Sequence, residues 1–319
     1  MKQHTRWIIG VISVMVLTVY MLTREKDESV PPVNTETKSS ATIQTKKPIT
    51  DLPTSEAEFP SEGLQGRKDA KQKWMSAVRQ VVEMTQDPEA RAIYQFLSEN
   101  SFLVESFGPN SLKVLEGIEA EYPIALLILT KNDLEKDVVL KERVERFTET
   151  ATFSEDPPTI ILYPIKMSAI WRGITLLHEG SHALLLTRTP DHNPAHRQAY
   201  AREEVRVHEF ENRLLTKLGG EAYKKFLEKE VVRIKEIEDS QQLKHNQMIV
   251  VSRTDYNHEL DNIFEKALTQ QERDLRQTHV HIHAQFTLIE RRYAGDPHKI
   301  LETKAQWYDA LRPHNANEP

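Results

Sequence analysis

The sequence predicts an α+β fold that is predominantly α-helical with a small sheet. Three observations lead there. Apolar residues recur at helical spacing through most of residues 67–312. Only two short runs, IALLIL at 124–129 and TIILY at 159–163, have the unbroken apolar and β-branched character of strands. The chain has no Cys, so its core must be held by packing instead of a disulfide framework.

The elements follow in order. Trp74, Val78, Val81 and Val82 form one helical stripe. Ala90, Ile93, Tyr94 and Leu97 form the next, opened by Asp87-Pro88 in a cap-then-first-turn arrangement. The two strands come after it, the second introduced by Pro157-Pro158 and closed by Pro164. Helices return over 168–187, 195–218, 221–247, 257–293 (with an interruption) and 301–311. Residues 67–312 are read as the globular domain and 313–319 as a polar tail. No internal repeat is present.

Two regions precede the domain. Residues 7–22 carry no charge over sixteen positions, and as a helix they would reach roughly 24 Å, close to a bilayer core of ~30 Å. Lys2, Arg6 and Arg24 flank the run, with Trp7 and Tyr20 near its ends. Residues 1–24 are therefore expected to be a signal anchor in contact with the lipid bilayer; a cleaved secretory signal is the alternative. Either reading places the domain outside the cytoplasm, and the first makes it a single-pass protein of the cell membrane. Residues 25–66, rich in Pro, Ser, Thr, Lys and Glu, bury too little apolar surface to offset their chain entropy and read as a flexible stalk.

Composition narrows the function. Lys and Arg number 42 against 48 Asp and Glu, a net charge of −6, which leaves no basic excess for a nucleic-acid backbone. Without Cys there is neither a thiol nucleophile nor a Cys-ligated metal.

The segment that carries chemistry is Ile174-Thr175-Leu176-Leu177-His178-Glu179-Gly180-Ser181-His182-Ala183. Four residues apart on a helix, His178 and His182 face one way, and two imidazoles so spaced can bind one Zn²⁺. Glu179 is rotated about 100° from His178. There its carboxylate can take a proton from water and return it to a leaving amine. The rest of the helix is apolar on nearly every side, so it should be buried, and two histidines and a carboxylate inside would be costly without a partner. A metal ion supplies one; satisfied core histidines are the plainer alternative. The third His of the longer metzincin pattern is absent, since Arg188 stands in its place. The next helix has an apolar stripe through Tyr200, Val207, Phe210, Leu214 and Leu218, with Glu204 near its edge.

These residues resemble the gluzincin class of zinc metallopeptidases, in which H-E-x-x-H on one helix is completed by Glu on a following helix. The resemblance spans about residues 159–215. It implies a zincin-like helix pair with one Zn²⁺ held by His178, His182 and Glu204, Glu179 as general base, and a peptide or protein substrate. Glu203 is the alternative third ligand. Glu211 points inward two turns past Glu204 and is expected to hydrogen-bond behind the site. His208 stands where the class often has an acidic residue, and either donates to Glu204 or is a core side chain. Thr159, Ile160, Ile161, Leu162 and Tyr163 would form the edge strand on which substrate main chain adds, although an ordinary buried strand reads the same. Tyr256, His258 and His279, with His281 and His283, are candidates for stabilising the oxyanion. For the last three histidines, core roles and a second metal remain open. The competing functional readings are a non-catalytic membrane-tethered binding module on the same scaffold, and zinc-assisted cleavage of a non-peptide amide.

Overall fold

The computed structural model describes residues 63–104, 124–136, 150–155, 158–188, 197–239 and 254–311. In chain order they form α1 (Gly63–Thr85), α2 (Pro88–Asn100), β1 (Ser101–Leu103), β2 (Ile124–Ile128), α3 (Lys131–Lys136), β3 (Ala151–Glu155) and β4 (Pro158–Leu162). Then come α4 (Ala169–Arg188), α5 (Arg197–Asp239), α6 (Thr254–Ile263), α7 (Gln270–Arg292) and α8 (Pro297–Ala310). The predominantly helical α+β class expected from the sequence is the one observed.

Local chemistry explains several boundaries. The Asp87 carboxylate accepts from the Glu89 and Ala90 amides and so caps α2 at its Pro88 start. Asp296 and Thr269 do the same for α8 and α7. Gly220, at φ +56°, breaks α5 where the sequence places a Gly-Gly junction between two helices.

The sheet order is β1-β2-β4-β3. The first three strands are parallel, with Leu126 beside both Leu103 and Ile160, and β3 runs antiparallel with Phe153 opposite Ile160. β2 is buried throughout, as its unbroken apolar run requires.

Helix α4 lies in the middle of the molecule, against α1, α2, α5 and β3. Two glycines let it sit so deep. A Cβ on Gly173 would come within 2.6 Å of the Ala77 carbonyl oxygen on α1, and one on Gly180 within 2.7 Å of Ile93 Cγ2 on α2. Trp171 is fully buried, edge-on to Phe264 and His279 at ring separations of 6.0 and 6.1 Å. A second apolar cluster of Ala201, Val205, Ile282, Phe286, Ala305 and Tyr308 joins α5, α7 and α8.

Three expectations change. No helix among the described residues is long and apolar enough to cross a membrane. The single-pass, membrane-anchored localisation is corrected accordingly; residues 7–22, on which it rested, lie outside the described residues, as do most of the expected stalk and the 313–319 tail. Helix α1 opens at Gly63, within the segment read as stalk. The strand carrying Thr159, Ile160, Ile161 and Leu162 is interior, paired with β2 on one side and β3 on the other, while Tyr163 follows its end. A continuous apolar run is what two neighbours and two covered faces demand; among the described strands the edge beside α4 belongs to β3.

Candidate metal centre

His178 and His182 project from the same face of α4, their rings 5.2 Å apart. Glu204 meets them from α5. His178 Nε2 lies 3.8 Å from Glu204 Oε2, and His182 Nε2 lies 3.6 Å from Glu204 Oε1. These separations are too long for hydrogen bonds. Four donors at about 2.0–2.1 Å around one tetrahedral ion stand about 3.3 Å apart, so each of these two separations is within about half an ångström of that spacing. The three ligand atoms lie within 4.8 Å of one another, and all three residues are buried.

The opposite edges of both rings are held by carboxylates. His182 Nδ1 is 2.6 Å from Glu203 Oε1, and His178 Nδ1 is 3.2 Å from Glu211 Oε2. Burial pushes the Glu211 carboxyl up, but His279, His178 and His208 around it hold it well below the usual carboxylate range. An ionised carboxylate can only accept, so His178 donates from Nδ1 and turns Nε2 toward Glu204. This is the arrangement that readies an imidazole for a metal. The donor set of two imidazoles and a carboxylate fits Zn²⁺. Glu203, the alternative third ligand, is thus placed as the partner of His182.

Glu204 also accepts from the Tyr308 hydroxyl of α8 at 3.2 Å. Burial raises its pKa, yet His182, His178 and His208, with a hydrogen bond from Tyr200, leave it lowered overall. Burial opposes charge on His182, but Glu204, Glu203 and Glu179 outweigh that and raise it to about 9.

Glu179 keeps some accessible surface. Loss of water pushes its carboxyl up; His182 pulls it down, Glu204 pushes it up, and the balance is about 7. The Phe153 amide of β3 donates to it. The Phe153 ring stacks on His182, nearly parallel at 6.4 Å.

His208 is fully buried beside His178, with rings 5.1 Å apart, and burial lowers its pKa to about 4. His279 Nδ1 contacts the other Glu211 oxygen. His283 shares that face of α7 and meets the Tyr223 hydroxyl at 3.0 Å through Nδ1, whereas His281 turns toward Glu230 and Trp307. Tyr256 packs on Phe226 and His258 is exposed, so neither joins this group. Sequence reasoning did not single out Tyr308 or the Phe153 amide. A buried Tyr on the inner face of a capped helix was the available sign for Tyr308; a backbone amide leaves none.

No family model, curated protein or solved structure matches the chain.

Proposed function

We propose that the chain is a zinc-dependent metallopeptidase of gluzincin type, hydrolysing peptide bonds. The observation that carries this reading is the convergence of His178, His182 and Glu204 with Glu179 beside them, each ligand histidine being held from behind by its own carboxylate. Bound by those three residues, zinc would polarise the scissile carbonyl and acidify water.

The residues of the chain supply the rest. Glu179, raised to about 7, takes the proton of the attacking water and passes it to the leaving amine nitrogen. Glu203 and Glu211 fix the ring orientation of His182 and His178. Tyr308 holds the Glu204 carboxylate. The outer edge of β3, beside Glu179, is where substrate main chain would align by strand addition, the Phe153 amide itself being given to Glu179.

Two measurements test the reading on the full-length chain. Metal analysis should find zinc in the wild type and its loss in His178→Ala. Glu179→Gln should keep zinc while hydrolysis of a broad peptide library disappears. A zinc-loaded wild type inert toward every peptide would instead favour a non-catalytic binding module.

A further inference from the structure

A second ligand group stands behind the first. On the edge of the His178 ring that faces away from Glu204, Nδ1 meets Glu211 Oε2 at 3.2 Å, and His208 brings its own Nδ1 to 3.4 Å from the same oxygen. His178, His208 and Glu211 each offer one atom within 4.8 Å of the others, and all three are buried. Both measured separations already match the roughly 3.3 Å between donors on one tetrahedral ion.

An independent sign comes from His208. It has no exposed surface, and neither of its ring nitrogens has a hydrogen-bond partner, despite the 3.4 Å approach to Glu211. A buried polar atom left so loses its bonds to water with nothing in return. His283 repeats the pattern: Nε2 is unpartnered, and its ring lies 5.9 Å from that of His208. Cores built only on hydrogen bonds pair such atoms. His279 meanwhile holds Glu211 Oε1 and leaves Oε2 turned toward His178 and His208.

We propose that Glu211, His208 and the Nδ1 edge of His178 form a second, inner divalent-cation site that shares the His178 ring with the outer one. Two imidazoles and a carboxylate suit Zn²⁺, Co²⁺ or Cu²⁺ over Mg²⁺ or Ca²⁺. The inner ion replaces the Nδ1 proton of His178, which leaves to solvent, and the ring then bridges the two ions as an imidazolate. Without the inner ion, the Nδ1 proton stays on the hydrogen bond to Glu211 and the outer group is unaffected. The inference rests on the placement of His178 in the reading above, and not on peptide hydrolysis.

The full-length chain, dialysed against Zn²⁺ and analysed for bound metal, should hold two ions, and His208→Leu should hold one. Loaded with Cu²⁺, the wild type should lose most of its electron paramagnetic resonance signal through coupling across the shared ring, and His208→Leu should regain the full signal of one copper. The wild-type count and signal need no variant, so misfolding of His208→Leu cannot obscure the result. One zinc per chain at saturation, or two uncoupled coppers, overturns the inner site. One zinc with active hydrolysis does so while the peptidase reading stands; no zinc at all removes both.

Discussion

Helix α4 carries a buried polar cluster at its start and another two turns along, and the two are neutralised differently. At the start, the Ser168 amide and hydroxyl bond to Glu272, and the Ile170 amide donates to Glu265 at 2.6 Å. Arg276 of α7 completes that cluster, reaching Ser168 Oγ at 2.9 Å, the Glu265 carbonyl at 2.7 Å and the Asp261 and Glu272 carboxylates. Its cation is part of the chain. Further along, Glu204 and Glu211 face histidines, two of which, His208 and His283, are held neutral by burial. The first cluster is closed and anchors the helix. The second aims its donors at common points and is charged only as far as its imidazoles are protonated, His182 being raised to about 9.

The sharpest test of this contrast is Glu179→Gln, which should lower peptide turnover by about 10²–10⁴-fold with zinc content unchanged. Next comes Arg276→Met, which strands buried carboxylates and should cost about 3–5 kcal/mol in denaturant unfolding. Zinc affinity of the folded fraction should stay at the wild-type value; a matching loss of affinity would break the distinction between the two clusters.

A third cluster, around the buried Asp87 carboxylate, sharpens the contrast. Asp87 accepts from Arg213 at 3.0 Å and Lys217 at 2.8 Å. Burial pushes its carboxyl up, but those bonds and the Ala90 amide win and bring it down to about 2. Its cations are partly exposed, so solvent screening reduces the worth of the pairs. Asp87→Ala, which also removes the α2 cap, should cost about 2 kcal/mol. Because the folded-state pKa is depressed, this contribution is complete above the ordinary carboxylate value and is lost as pH falls from about 4 to about 2. Wild type and Asp87→Ala should therefore converge in stability at the acid end of a pH series. The smallest effect on folding is expected from Glu203→Gln: little change in unfolding midpoint, with about 10–100-fold weaker zinc binding read by chelator competition.

Much of this was legible in the sequence because it depends on periodicity. The spacing of His178 and His182, the inward edge at Glu204 and the helix break at Gly219-Gly220 are one-dimensional patterns with direct three-dimensional meaning. What depends on pairing between distant segments was not. β4 and an edge strand read alike when only their own residues are seen, and β3, Ala151–Glu155, offers only a brief alternation with one large apolar residue, Phe153. The division of labour between Glu203 and Glu204 turns on which ring edge each meets, and Tyr308 reaches the site from 104 positions away.

The glycine contacts of α4 also set its register. Gly173 fits against α1 and Gly180 against α2, two notches about 10 Å apart along the axis. A slip of one residue would advance the helix by about 1.5 Å and turn it by about 100°, driving a side chain into both notches and swinging the imidazoles off their face. The pair works as a double keyway: it fixes translation and rotation together, so the aim of His178 and His182 is set by two residues that touch neither of them.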